Sequence, residues 1–587
     1  MSGDAAPPPT PPAVGRWWVD ALWLLALAAW SAGWCLSAAA ELGITYDEVF
    51  YLDAGLSSWR GWQPEEGKTI GWAHEYSATN GVMPLPPDVV TIPVYVLERQ
   101  GGEKFEGEAK YARLRWARAM TLGWFWLLVV SAWRLGRHAA GPWGGRIASG
   151  LIAADPNFLA HAALATTDVA VSAALLAFAR AVYAGRAGGW WKRVTLPGLW
   201  YGVAVLCKLS ALLYGGFILV VLEVCHRFAT GGLSRPAGAG LGRWARSAAL
   251  ATLRSVLAAA AVIAVGAAVA FAYCGVPDAG ERPFTKVAAA VPPTELLKPQ
   301  FDKWAAESGR VPHAVSAFAF QWWHNSRGRP TFLNGTYYPE GYLWYFPELL
   351  LMKVPVPIFV LALLALPRPR ALANPFALAA LVLLAVLLKA NLQTGVRLAL
   401  PVIALGYVGL ATALARGYPR CAPWLGAPAV AALAAASLWV WPHALGYLNQ
   451  PSGGPKAAPY RVTDSNVDWG QGLPDLAAWH AANGRPPTVV WYFGTDTRYF
   501  KRHPDDHGRP FQRFPLEALP IKSGDDLRRA VGPQVLAVGY TVVALHPDEP
   551  AAKAVALEYL RTRRPLARTA TFVLYDFRDE KNGPPPE

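Results

Sequence analysis

The chain has 587 residues, of which 53% are hydrophobic and 16% charged, with 27 tryptophans and a mean hydropathy of +0.22. That exceeds what a soluble core needs, so the composition excludes an ordinary water-soluble domain and reads as a polytopic membrane protein. The formal charge of +14 falls largely in short loops between apolar stretches, which marks topology with some attraction to anionic lipid; no nucleic-acid module accompanies it.

In chain order, a Pro-rich tail (1–16) leads into a first apolar stretch at about 17–40. A cleaved signal peptide ending near Ala38–Ala40 is the rival reading, and the near-bilayer length of the stretch favours a span. Further spans are expected at about 112–133, 144–164, 168–184, 250–273, 347–366, 374–390, 398–415 and 424–444. The stretch 195–225 is too long for one simple span and is basic at both flanks, so it is expected to cross twice with its turn near Lys208, making about eleven spans in all.

Basic clusters at Arg134–Arg146, Arg180–Arg193, Arg227–Arg254, Arg368–Arg370 and Arg416–Arg420 occupy the connections of one side, which the positive-inside bias makes cytoplasmic. The amino terminus is then inside. The other side holds the loops 41–111 and 274–346 and everything from 445 to 587, together with most of the acids and aromatics. From 445 on, short β-branched and aromatic segments at Val489–Phe493, Val535–Val543 and Ala570–Tyr575 alternate with helical patterns, which predicts a small extracytoplasmic α/β domain. The five cysteines lack CxxC spacing and predict neither a disulfide framework nor a metal site.

Three constellations carry chemistry. Ile44 to Tyr51, just beyond the first span, contains Asp47 and Glu48, which point about 100° apart if helical, so one can act while the other braces. Ordinary interfacial polarity is the plain alternative. Asp155-Pro156-Asn157 through His161 to Thr166-Thr167-Asp168 joins two spans on the outer side; capping of the fourth span by Thr167 or Asp168 is the bland reading, and a lone His161 reads as a hydrogen-bonded core residue. Lys208, Lys353, Lys389 and Arg397 lie near outer span ends, where topology does not favour cations. Each alone could snorkel, but four near one leaflet are better explained by an anion such as a lipid phosphate. Aromatics such as Trp322, Trp323, Tyr337, Tyr338 and Trp344 could stack on sugars or lie on the membrane.

Tyr46-Asp47-Glu48, His161…Thr166-Thr167-Asp168, Lys208, the run Gly341–Phe346 with Lys353-Val354-Pro355-Val356-Pro357, and Asn391…Gly395-Val396-Arg397 together resemble the GT-C membrane glycosyltransferases, in particular the branch of protein O-mannosyltransferases and the lipid A aminoarabinose transferase. Asp464-Ser465-Asn466-Val467-Asp468-Trp469-Gly470-Gln471 resembles a motif of bacterial members. The segment around His74-Glu75 and Asn80–Pro84 departs from the simpler pattern often found there. The resemblance implies a GT-C-like domain over 17–444 that moves a sugar from a polyprenyl-phosphate carrier to a hydroxyl on protein, lipid or glycan, with inversion. Asp47 would be the base, with Glu48 beside it, and Lys208, Lys353 and Arg397 the phosphate clamp. Asp168, His161, Tyr345, Asn466 and Asp468 would position substrates. No cofactor or metal is required, although related enzymes with acidic pairs bind a divalent cation. A flippase or transporter of lipid-linked saccharides, or a non-catalytic sugar-binding membrane subunit, would want similar anion and aromatic sites.

Overall fold

The computed structural model describes residues 17–61, 81–230, 241–275, 288–289, 298–307, 312–503, 506, 508–515, 519, 521–544 and 551–578. The Pro-rich tail and His74, Glu75 and Asn80 lie outside these residues. Among them, seven helices are long and apolar enough to cross a bilayer, or eight if one bent pair counts as a span. In hydrocarbon the backbone must bond to itself, and Leu- and Ala-rich runs of this length do so as helices.

The body begins with α1 (Trp17–Glu41), α2 (Tyr46–Gly61) and α3 (Leu85–Gly101). The spans expected at 112–133 and 144–164 form one run, α4 (Leu114–Ala154), interrupted by non-helical backbone at Ala140 and Gly141. A Cβ on Gly136 or Gly144 would meet the other's carbonyl oxygen at 2.4 or 2.6 Å, so the chain doubles back here on glycine.

Next come α5 (Pro156–Ala162), α6 (Asp168–Gly185), α7 (Leu196–Cys207), α8 (Ala211–Ala229) and α9 (Leu241–Cys274). The predicted break at Lys208 is present, its backbone extended, and α7 continues without interruption from the π-helical turn Trp191–Thr195 that precedes it. A hairpin pairs β1 (Thr331–Leu333) with β2 (Thr336–Tyr338). Then α10 (Tyr345–Lys353) and α11 (Val356–Ala365) meet at 104°, where Pro355 and Pro357 disfavour a continuous helix. They are followed by α12 (Pro375–Leu387), α13 (Leu400–Gly417) and α14 (Ala422–Trp439). The seven fall short of the expected eleven because α4, whose two arms double back at Gly141, counts once, and because α7, α12 and the bent α10–α11 pair are not among them.

Charges sort to the two ends of this bundle. At one end, Asp20 near the start of α1 accepts from Arg146 at 2.8 Å and from Arg137. At the opposite end, the chain leaving α1 at Leu42, the start of α6, the α7–α8 break and the start of α13 come together.

Over that second end packs a five-stranded mixed sheet in the order β4-β3-β5-β7-β6. Strands β3 (Thr488–Trp491), β4 (Phe511–Arg513) and β5 (Val535–Gly539) run parallel, and β7 (Phe572–Asp576) lies antiparallel to both its neighbours, β5 and β6 (Ala567–Arg568). β3 and β5 are buried throughout, as parallel strands covered on both faces must be. Val490, Val535 and Leu574 share a core with α15 (Leu473–Ala482), while Trp491, Val538 and Val573 join the main core that includes the membrane helices.

Candidate active site

The local sequence explains how the acids of α2 are turned. Thr45-x-x-Glu48 is a capping-box spacing: the Thr45 backbone N–H donates to Glu48 Oε2 at 2.9 Å and so closes the helix start. The chain before it is held by backbone bonds from Gly43 N to Gln471 O and from Tyr46 N to Trp469 O, both 2.8 Å. Glu48 is therefore committed inward, where it pairs with Arg118 at 2.7 and 2.8 Å and accepts from Ala165 N at 2.8 Å. Burial opposes its charge, but Arg118 and the two backbone donors outweigh that and hold the carboxyl below its usual range.

Asp47, one residue earlier and about 100° round the helix, faces the other way. Its Oδ2 lies 2.5 Å from Arg397 Nη1 and accepts from the Tyr51 hydroxyl at 3.4 Å. Burial, with Asp47 and Asp168 nearby, keeps the Tyr51 phenol well above its usual range, so it stays protonated as a donor. The Arg397 guanidinium also lies 4.3 Å from the Trp469 ring centroid and donates from Nε to Thr394 O at 3.2 Å. Beside this pair, Lys208 Nζ lies 2.6 Å from Asp168 Oδ1. Asp47 and Lys208 keep side-chain exposures of 23% and 26%, whereas Asp168 has none, so the cluster opens on one side only.

The turn carrying Arg397 is clamped from above. Asn466 accepts from Val396 N at 3.0 Å and donates to the Tyr345 hydroxyl at 3.2 Å, and Ser465 Oγ donates to Thr394 O. Gly395 has φ 112°, and a Cβ there would come within 2.3 Å of Ser465 Oγ, so the close approach requires glycine.

The sequence-predicted residues thus divide. Asp47, Arg397, Lys208 and Asp168 form two neighbouring ion pairs. Thr167 caps α6 without a side-chain bond, and Asp168 turns to Lys208, so the capping reading of this pair is not what the side chains do. His161 is fully buried against Trp469, but neither ring nitrogen has a partner among the described residues, unlike the hydrogen-bonded core histidine expected. The buried Lys353 ammonium is turned to backbone, donating to the Leu445 and Asn466 carbonyls at 2.5 and 2.7 Å. Tyr345 and Asn466 support the Arg397 turn, and Asp468 is turned away to Gly470 N and Thr541 N at 3.1 Å, where burial raises its carboxyl to about 6. Lys389 is exposed, as a snorkelling lysine would be.

Arg118, Tyr51, Trp469 and Asp464 were not singled out from sequence as site residues. Arg118 had a signal, a cation inside an apolar span with a nearby acid pair; Tyr51 had one too, four residues after Asp47 on the same helix face. Asp464 lies in the field of Arg397, and burial raises its carboxyl above the usual range. Among the described residues no three His, Cys, Asp or Glu side chains gather to hold a metal ion.

No family model and no curated protein matches the chain. Among solved structures it is similar to ArnT from Cupriavidus metallidurans bound to undecaprenyl phosphate, at 14% identity and TM-score 0.44, over 97% of this chain and 100% of that one. It is also similar to the archaeal oligosaccharyltransferase AglB from Archaeoglobus fulgidus, in complex with an inhibitory peptide and a dolichol-phosphate, at 13% identity and TM-score 0.38, over 97% of this chain and 75% of that one. Likeness at these scores carries no argument about the reaction.

Proposed function

We propose that this protein is a membrane glycosyltransferase that moves a sugar from a polyprenyl-phosphate donor to an acceptor hydroxyl on the outer side of the cell membrane, with inversion. The observation that carries the reading is the paired arrangement of Asp47 with Arg397 and Asp168 with Lys208, partly open, at the end of the bundle opposite the Arg-rich loops. The α/β region then lies outside and the amino terminus in the cytoplasm.

The chemistry follows from the leaving group. A lipid phosphate is a weak base and departs without the general acid that a glycosidase needs. What remains is to take a proton from the acceptor hydroxyl and to stabilise charge on the departing phosphate. Arg397 engages Asp47 through Nη1 and Thr394 through Nε, so Nη2 is free of protein partners among the described residues and suits a phosphate oxygen. As the phosphate draws the guanidinium, Asp47 gives up part of its ion pair and becomes a better base. The acceptor oxygen bonds to the anomeric carbon, the carbon–phosphate oxygen bond breaks, the proton passes to Asp47 and polyprenyl phosphate leaves. Arg397 and Lys208 supply the positive charge, and the scheme requires no metal.

One observation favours a transporter instead, since α10 and α11 form a broken span. The lysine at that break, however, bonds to backbone carbonyls instead of lining a path. Mass spectrometry of lipid copurified with the protein, combined with a transfer assay on that lipid, tests the choice. A polyprenyl-phosphate sugar consumed with a new glycosidic product supports the enzyme; the same lipid moved between leaflets without product would overturn it.

A further inference from the structure

The end of the bundle away from the candidate active site holds a cavity of about 230 Å3, lined by α6, α8, α9 and the turn before α7. Its walls are Val182, Leu219, Val220, Val224, Val256 and Val262, and its polar lining includes Arg186, Arg193, Arg227 and Glu223. α6 carries Asp168 of the candidate site at its first residue and runs 18 residues to Gly185, immediately before Arg186. That is about 27 Å at ~1.5 Å per residue, so the cavity lies near the opposite membrane face.

The arginines are not equivalent. Arg227 is spent inside the fold, donating to Thr252 Oγ1 at 2.8 Å, to Ser255 Oγ at 2.6 Å, to the Ala251 carbonyl, and to Glu223 at 3.3 Å. Glu223 accepts further from Ser255 at 2.6 Å. Arg186 reaches Glu223 only at 3.5 Å, and its buried Nε and Nη2 have no hydrogen-bond partner among the described residues. Arg193, from the π-helical turn Trp191–Thr195, is exposed and likewise forms no ion pair or hydrogen bond among them. Three cations therefore face one acid, and two of them offer donors, beside valines that remain open to the bilayer: Val220 and Val256 are each 57% exposed.

We propose that this cavity binds the phosphate headgroup of an anionic phospholipid of the Arg-rich leaflet, with an acyl chain along the exposed valines of α8 and α9. Unpaired guanidinium donors call for an acceptor carrying charge, and the two non-bridging oxygens of a phosphodiester can accept from the planar guanidinium fork in a bidentate pair. The apolar walls make a lipid the occupant in place of free phosphate. The site is separate from the glycosyl-transfer reading and stands or falls without it.

The test uses the full-length protein in mild detergent, with native mass spectrometry and thermal unfolding in the presence of phosphatidylglycerol, phosphatidylcholine or inorganic phosphate. Phosphatidylglycerol should be retained and raise Tm, phosphatidylcholine should do so less, and inorganic phosphate should have little effect. Arg193→Ala, an exposed position that should fold, and Arg186→Gln should each weaken phosphatidylglycerol retention roughly tenfold, the factor for losing a charge-assisted contact, while Arg186→Lys should restore part of it. Equal retention of the two lipids, undiminished retention in both Arg193→Ala and Arg186→Gln, or stabilisation by inorganic phosphate as large as by phosphatidylglycerol would each overturn the proposal.

Discussion

Arg397 and Asp47 stand 350 residues apart in the chain and 2.5 Å apart in the fold. The pair is assembled by the segment Asp464–Gln471, whose Trp469 carbonyl fixes Tyr46, whose indole lies against the guanidinium, and whose Ser465 and Asn466 hold the Arg397 turn. The region after the last membrane helix is thus a structural part of the candidate site. Truncation before residue 464 is expected to abolish function even though every membrane helix is retained.

The buried Glu48–Arg118 pair should be a stability element. Removing one partner of such a pair leaves an uncompensated charge and costs about 3–5 kcal/mol. Arg118→Met should accordingly lower the yield and Tm of detergent-purified protein, and Glu48→Gln should do so as well, because its single amide oxygen can accept from only one of Thr45 and Ala165 and its NH2 would face the other donor and Arg118. An unchanged Tm in Arg118→Met would show that the pair adds nothing.

The cations Arg397, Lys208 and Lys353 should separate by phenotype. Arg397→Ala and Lys208→Ala are each expected to weaken donor binding by about 1–3 kcal/mol, the range for a charge-assisted contact. Lys353→Met should instead reduce Tm with donor affinity retained in the folded fraction, because its ammonium serves the Leu445 and Asn466 carbonyls. Isothermal titration with a short-chain polyprenyl phosphate measures the difference.

These contrasts mark what the sequence made legible. Asp47, Lys208 and Arg397 stood out because charge near an apolar span end is costly unless it is used, and the sorting of charge to the two ends of the bundle was readable from the arginine loops. Strands β3, β5 and β7 were legible from their β-branched runs, whereas the short edge strands β4 and β6 were not, and the run after Val535 turns helical at Tyr540. Partners were not: nothing local distinguishes Lys353, bonded to carbonyls about a hundred residues on, from Lys208, bonded to a carboxylate. The bend between α10 and α11 and the short length of α12 were not legible, since hydropathy reports apolarity and not where a helix ends.

A pH effect should come from Asp88, near the start of α3. Burial, opposed by hydrogen bonds from Tyr273 and Ser58, raises its carboxyl from 3.8 to about 7. The folded group holds its proton more tightly than the unfolded one, so its contribution to stability is full below about pH 4 and is lost as pH rises through about 7. Wild-type Tm should fall between pH 5 and pH 8 by more than that of Asp88→Asn. Parallel curves for the two proteins would contradict this.

Topology is testable with single cysteines in a background lacking the exposed Cys421. Cysteines at the exposed positions Gly189 and Arg370 should react with impermeant maleimide only from the cytoplasmic side, and those at Glu106 and Asn483 only from outside. Labelling of Asn483→Cys from the cytoplasm would invert the assignment.

The central prediction concerns Asp47. As the base, it must accept a proton from the acceptor hydroxyl, and removing a positioned base costs roughly two to four orders of magnitude in turnover. Asp47→Asn keeps the shape and can still accept a hydrogen bond from Arg397, so fold and donor affinity should survive while transfer collapses. Freed from the carboxylate, Arg397 should hold phosphate at least as tightly as before, so unchanged or tighter donor binding together with lost turnover is the expected signature. Glu48→Gln should differ in kind, reducing activity in step with the loss of folded protein, because its carboxylate is enclosed by Arg118 and two backbone amides. If Asp47→Asn retains near-normal turnover while Asp168→Asn abolishes it, the base is Asp168, and the Lys208 pair, not the Arg397 pair, is where the acceptor is activated.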